Sequence, residues 1–146
     1  MAMATPMNRY EKVLVLLLRL DGIIMLAALL PSIMPLAWMK ETHRYLGIGE
    51  LPDGPIIGYL TRSLALMYAM HGAVLFFVSF DVRRFLPVVK IVAVLGILFG
   101  LWMTALDITV GMPVFWTACE GPSLFVLYCV VLWLTGHVQN IAIWEK

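Results

Sequence analysis

Charged residues are scarce in this 146-residue chain. Asp, Glu, Lys and Arg together make up 13% of the sequence, whereas an average soluble domain contains about 25%. Hydrophobic residues make up 62%, and this excess excludes an ordinary water-soluble domain. The net charge is only +1. There is therefore no basic excess of the kind that indicates nucleic acid as a partner.

Cysteines and catalytic motifs are also scarce. The two cysteines, Cys119 and Cys129, fall in one predicted helix, where ten residues separate them by about 15 Å, beyond the reach of a disulfide. The sequence contains no CxxC, HExxH or GxSxG motif and no phosphate-binding glycine loop. We therefore expect no metal and no cofactor. Whether any reaction is catalysed stays open, although a non-catalytic role is favoured.

The chain does contain four long apolar segments. A bilayer core about 30 Å thick is crossed by roughly 20 helical residues, and each segment is long enough. We predict an all-α integral membrane protein: a single domain, built as a four-transmembrane-helix bundle, with the lipid bilayer as its first partner and a long outer loop at residues 40–58. The predicted spans are residues 13–39, 59–80, 87–106 and 114–134.

Prolines leave alternatives open in two of these spans. Pro31 and Pro35 interrupt the outer half of the first span, which could tilt, kink or begin as an interfacial helix. Gly121 and Pro122 directly follow Glu120, so a short helix could end there and a second one begin. Broken helices of this kind line binding sites in transporters, but a plain kink is the simpler interpretation.

The distribution of Lys and Arg predicts the orientation. Loops on the cytoplasmic side of a membrane carry more Lys and Arg than loops outside. We expect both termini on the cytoplasmic side, and a location in a bacterial inner membrane. The predicted cytoplasmic side carries Arg9, Lys12, Arg19, Arg83, Arg84, Lys90 and Lys146, and the outer side carries only Lys40, Arg44 and Arg62.

Each predicted span contains an ionisable residue, and helical periodicity indicates its direction. Arg62 shares a helical face with Ala65 and Ala69, while Asp107 shares one with Gly100. Small residues of this kind are what closely packed membrane helices present to one another. Arg62 and Asp107 are therefore expected to point into the bundle.

The predicted site is a polar cluster of Arg62, Asp107 and Glu120 in the outer half of the bundle. Trp116 shares the helical face of Glu120 and would lie beside it. One guanidinium can bond two carboxylates at once, so the cluster could simply hold helices together. An acid left without a partner would instead be a candidate proton or cation site.

Two further polar residues complete the predicted set. Asp21 is placed alone towards the cytoplasmic side, where Lys90 could reach it. His71 lies on the helical face opposite Arg62, and either bonds a neighbouring hydroxyl or backbone group or contacts another subunit. A haem held by His71 and His137 is not expected, because their predicted depths in the membrane differ.

Two hypotheses for function come from different classes. In the first, the chain is a non-catalytic bundle that forms a homo-oligomer or serves as an accessory subunit of a larger membrane complex. In the second, it binds or converts a lipophilic or cationic amphiphilic molecule or a lipid, with Glu120, Asp107 and Trp116 at the polar end of an apolar pocket. If chemistry occurs, either acid could exchange the proton.

The third hypothesis is a proton-coupled exporter. Four predicted spans with an acid, Asp21, in the first are similar in layout to the small multidrug-resistance transporters. This resemblance implies a dimer that exchanges protons for its substrate. The long outer loop and the additional buried charges depart from that family's pattern, so no functional residue is carried over.

Overall fold

The computed structural model describes residues 7–144, with side chains described up to residue 139; Lys146, used above for orientation, lies outside them. Within this part of the chain all regular secondary structure is helical, and four helical segments are long and apolar enough to cross a membrane. The predicted all-α class and the four long apolar segments are thereby confirmed. The helices are α1 (Arg9–Leu26), α2 (Leu29–Ile33), α3 (Leu36–Tyr45), α4 (Pro55–Val78), α5 (Leu86–Val110), α6 (Val114–Cys119) and α7 (Gly121–Trp144), and a short 3-10 turn covers Ser79–Asp81.

The first candidate span runs over Arg9–Ile33 and combines α1 with α2. A capping box begins α1: the Asn8 side chain accepts a hydrogen bond from the Glu11 amide at 3.0 Å, and the Glu11 carboxylate accepts one from the Asn8 amide at 2.9 Å. Helix α1 therefore begins four residues before the predicted start of the span. The span ends before Pro35, which is the residue preceding α3.

Helix α3 occupies part of the segment that was predicted to be an outer loop. The buried side chain of Met39 attaches it to the bundle, with the Met39 sulfur 3.8 Å from the Thr61 hydroxyl on α4. Two surface ion pairs, Lys40 with Asp53 and Arg44 with Glu50, connect α3 to the segment that leads into α4. The segment after the first span is therefore helical, and Met39 is the buried residue that joins it to α4.

The fourth candidate span is broken at Glu120, so the structure has the two-helix alternative. Helix α6 ends at Cys119 and α7 begins at Gly121, because the backbone of Glu120 leaves helical geometry. Pro122 has no amide hydrogen to continue the α6 ladder. The Ser123 hydroxyl hydrogen-bonds the carbonyl oxygens of Cys119 and Glu120 instead, which satisfies part of the backbone at the break.

Glycines allow the spans to approach closely. Helix α1 crosses α4 at Gly22 and Gly72, where a Cβ added to Gly72 would lie only 2.6 Å from the Gly22 carbonyl oxygen. Helix α5 packs along α7 at Gly100 and Gly121, where a Cβ added to Gly121 would lie 2.6 Å from the backbone nitrogen of Thr104. Only glycine permits this separation of the backbones.

The apolar core fills the end of the bundle away from α3. Its members come from α1, α4, α5 and α7 and from the turn between α4 and α5, so this end is held together by all four spans. The most deeply buried members are Leu14, Leu18, Leu75, Val89, Ala93, Val131, Leu134 and Val138.

Candidate functional site

A cavity of about 540 Å³ lies between α1, α4, α6 and the start of α7. Most of its wall is apolar, but two carboxylates are part of it, and among the described residues no Lys, Arg or His side chain lines it. The cavity therefore has an excess of acidic groups. Its lining consists of Asp21, Ile24, Met25, Ala28, Tyr68, Trp116, Cys119, Glu120, Ser123, Leu124 and Leu127.

Glu120 provides the first carboxylate of this cavity from the break between α6 and α7. Trp116, one helical turn earlier, donates a hydrogen bond from its indole nitrogen to Oε2 of Glu120 at 2.5 Å. The carboxylate is half-buried, so its orientation is fixed while part of it stays accessible. The predicted neighbourhood of Glu120 and Trp116 is present in the structure.

Asp21 provides the second carboxylate, from the second half of α1. The Tyr128 hydroxyl on α7 donates a hydrogen bond to Oδ2 of Asp21 at 2.8 Å. The same hydroxyl lies 3.3 Å from Nε2 of His71 on α4. Asp21 and Tyr128 are only 7% and 3% exposed. Lys90 does not reach Asp21, because its ammonium group bonds Gln139.

Asp107 lies near the far end of α5 and is almost completely buried, at 4% exposure. Its Oδ2 has no hydrogen-bond partner in the part of the chain with described side chains. Asp107 does not line the cavity. The predicted grouping of Asp107 with Glu120 therefore stays a prediction.

Arg62 does not join those two acids, which corrects the predicted three-residue cluster. Its guanidinium donates hydrogen bonds to the carbonyl oxygens of Met34 at 3.1 Å and Gly58 at 3.5 Å. Met34 immediately follows α2. Among the described side chains no ion pair joins Arg62 to Asp107 or Glu120. The physical reason applies to Met34: carbonyl groups at the C-terminal end of a helix attract a cation and lack intrahelical partners.

Sequence reasoning missed two aromatic residues at this site. Tyr68 lines the cavity and Tyr128 bonds Asp21. A signal was present for Tyr128, because it lies eight residues after Glu120 and so shares its helical face. Nothing in the spacing of Tyr68 separates it from other apolar positions of α4.

At the opposite end of the bundle the buried carboxylate of Glu11 forms an ion pair with the partly exposed Arg83. Sequence reasoning did not single out either residue for the site. Two hydrogen bonds link the guanidinium of Arg83 to the carboxylate of Glu11, one of them 2.9 Å long, and Glu11 is 1% exposed. The spacing of Asn8 and Glu11 does signal the capping box that fixes this acid. The pair fastens the start of α1 to the turn before α5.

Comparisons with known proteins give no further guide. No protein-family model matches the chain, and no curated protein or solved structure matches it significantly. Within residues 7–139, no three His, Cys, Asp or Glu side chains come together in a group that could hold a metal ion. What this arrangement offers chemically is an apolar cavity with two carboxylates and two aromatic rings in its wall.

Proposed function

We propose that this chain is a membrane-embedded binding protein for a lipophilic organic cation. The observation that carries the proposal is the acidic lining of the cavity: Asp21 and Glu120 are part of its wall, and among the described residues no Lys, Arg or His side chain lines it. A carboxylate at an apolar surface attracts a cation more strongly than it would in water, because the local dielectric constant is lower.

The rest of the cavity suits an organic ligand. A volume of about 540 Å³ lies within the 300–1,000 Å³ typical of small-molecule sites. Tyr68 and Trp116 present aromatic rings to it, and such rings attract cations, quaternary ammonium groups in particular. The apolar wall favours a lipophilic organic cation over a hydrated metal ion, which needs several oxygen ligands.

Insertion in a bilayer is part of the proposal. Large apolar side chains on the outward faces of the helices are exposed, and lipid chains would cover them. The excess of Lys and Arg on the end that holds the start of α1 and the turn before α5 supports a cytoplasmic location for that end. A bacterial inner membrane fits this layout. Examples of the exposed side chains are Met67, Leu98, Trp102 and Val126.

Self-association, an accessory role in a larger complex, catalysis and transport stay predictions from the sequence. Binding of a cation is the step that the described contacts support directly, since it needs only the groups in the cavity wall. A catalytic or transport role would start from the same binding step.

The test is binding of tetraphenylphosphonium to the purified protein in a neutral detergent or nanodisc, measured by calorimetry. Tetraphenylborate is the matched control probe, because its size and lipophilicity are nearly the same and its charge is opposite. We expect saturable, stoichiometric binding of the cation alone. Equal binding of the two ions, or binding of neither, would overturn the proposal.

Substitutions locate the binding. Loss of one carboxylate near a cation should weaken binding about ten- to a hundredfold, so Glu120→Gln and Asp21→Asn are the test variants. Glu41→Gln is the matched control, because Glu41 lies on the exposed surface of α3 and should leave the affinity unchanged. A Glu120→Gln protein that binds as tightly as the original would place the site elsewhere.

A further inference from the structure

Asp21, Tyr128 and His71 form a hydrogen-bonded array that crosses three helices. The Tyr128 hydroxyl lies 2.8 Å from Oδ2 of Asp21 and 3.3 Å from Nε2 of His71. The aspartate and the tyrosine are buried and the histidine is half-buried. Of these three residues only Asp21 lines the cavity. Binding of a cation at the cavity wall therefore does not explain why Tyr128 and His71 are hydrogen-bonded to one another.

Close helix packing brings the three groups together. Gly22 and Gly72 are the chain neighbours of Asp21 and His71, and they form the α1 to α4 crossing. Gly96 on α5 lies under the Tyr128 ring, because a Cβ added there would overlap the ring atoms. The hydroxyl is therefore held between the carboxylate and the imidazole by backbone positions, which do not rearrange easily.

The Tyr128 hydroxyl has one hydrogen, which limits the positions that the hydrogens of the three residues can take. When Asp21 is ionised, the hydroxyl donates to it, and Nε2 of His71 must carry a hydrogen to donate to the hydroxyl oxygen. When Asp21 is protonated, it donates to the hydroxyl oxygen, and the hydroxyl donates to a bare Nε2. Both arrangements keep every group bonded, so a proton can reside at either end.

The two ends of the array have different surroundings. Asp21 is part of the cavity wall, whereas His71 is not. Neither nearby cation competes for the carboxylate, since Arg19 bonds Ser79 and Lys90 bonds Gln139. Asp81, on the turn packed against α1, lines a separate cavity. The titratable groups at Asp21 are His71 from α4 and Tyr128 from α7, with Tyr68 and Glu120 on the same cavity wall.

We infer that an organic cation arriving in the cavity moves one proton from Asp21 through the Tyr128 hydroxyl to His71. The O–H bond of the Asp21 carboxyl breaks and its proton bonds the Tyr128 oxygen, while the Tyr128 O–H bond breaks and that proton bonds Nε2 of His71. No proton leaves the protein: a neutral pair becomes a carboxylate and an imidazolium. The inference rests on the proposed function, because the bound cation supplies the charge that favours the Asp21 carboxylate.

The test is the protonation state of His71 with and without tetraphenylphosphonium, read from imidazole nitrogen-15 chemical shifts in nanodiscs at pH 7.5. That pH lies above the ordinary histidine pKa of about 6.5, and loss of a signal in a His71→Gln variant assigns the resonance. We expect the cation to convert the His71 signals from a neutral tautomer to the imidazolium pattern, and tetraphenylborate to leave them unchanged.

Tyr128→Phe tests the relay itself. The variant keeps the ring and removes the hydroxyl, so we expect it to bind the cation with an affinity reduced about tenfold or less and to keep His71 neutral. If calorimetry shows that the cation binds the original protein while His71 stays neutral, the relay is wrong and the binding function stands. If no cation binds, both fail. If His71 becomes protonated in the Tyr128→Phe protein too, the tyrosine is not the path.

Discussion

Gly72 offers the sharpest test of how the helices are arranged. In Gly72→Ala the new Cβ would lie 2.6 Å from the carbonyl oxygen of Gly22, 2.7 Å from the amide nitrogen of Leu26 and 2.7 Å from the Cβ of Met25. Ordinary Cβ contacts begin at 3.4 Å, so α1 and α4 must separate by about 0.8 Å at their crossing.

The size of the effect follows from which atoms are in the way. Overpacking a core costs about 1–3 kcal/mol, and we expect the upper end, because two of the three obstructing atoms belong to the backbone of α1. The higher helix propensity of alanine offsets about 1 kcal/mol of this loss in the free energy of unfolding. The net loss should be about 2 kcal/mol, a roughly thirtyfold shift of the unfolding equilibrium.

Gly136→Ala is the matched control for the same substitution in a long helix. A Cβ added at Gly136 meets nothing within 4 Å, so only the propensity term remains and the protein should gain about 0.5–1 kcal/mol. Helical circular dichroism during unfolding by sodium dodecyl sulfate in mixed micelles would measure both free energies of unfolding. A Gly72→Ala protein as stable as the Gly136→Ala protein would refute this packing of α1 on α4.

Two further predictions concern ion pairs away from the cavity. Glu11→Gln removes the buried charge that pairs with Arg83 and should lower the free energy of unfolding by about 1–2 kcal/mol in the same assay, whereas Glu41→Gln on the surface should change it by less than about 0.5 kcal/mol. The guanidinium of Arg44 holds the pKa of Glu50 below its ordinary value of 4.5. This contact is therefore fully present above pH 4.5 and is lost as the pH falls through the lowered pKa. The protection of the amides at the end of α3, measured as the exchange rate relative to the intrinsic rate at the same pH, should therefore decrease in acid. In Glu50→Gln that protection should already be lower at neutral pH and should show no further decrease in acid.

The break in the fourth span shows how far local sequence signals reach. Pro122 removes an amide donor and Gly121 weakens the helix, so the sequence offered a kink or two helices as alternatives. The choice between them lies in the structure, where the backbone of Glu120 leaves helical geometry and the Ser123 hydroxyl hydrogen-bonds the carbonyl oxygens of Cys119 and Glu120. Glu120 is presented to the cavity by this local arrangement.

Arg62 shows the limit of what helical periodicity can predict. Periodicity gives this side chain a direction but identifies no partner. Met34 takes the guanidinium because α2 ends there, and the end of α2 was not predicted. The pairing of Asp21 with Tyr128 joins residues 107 positions apart, a separation over which sequence spacing carries no information about distance.

The sequence by itself determined the four apolar helices, their approximate ends and the presence of acids on their inner faces, because chain length, hydrophobicity and helical period act locally. Only the tertiary structure decided which polar groups meet. Glycine contacts such as Gly22 with Gly72 set how closely the helices approach. The packing of the helices places Asp21 and Glu120 on one cavity wall. It also brings the Tyr128 hydroxyl within hydrogen-bond distance of Asp21 and His71. Arg62 bonds the carbonyl oxygen of Met34 at the end of α2 instead of an acid.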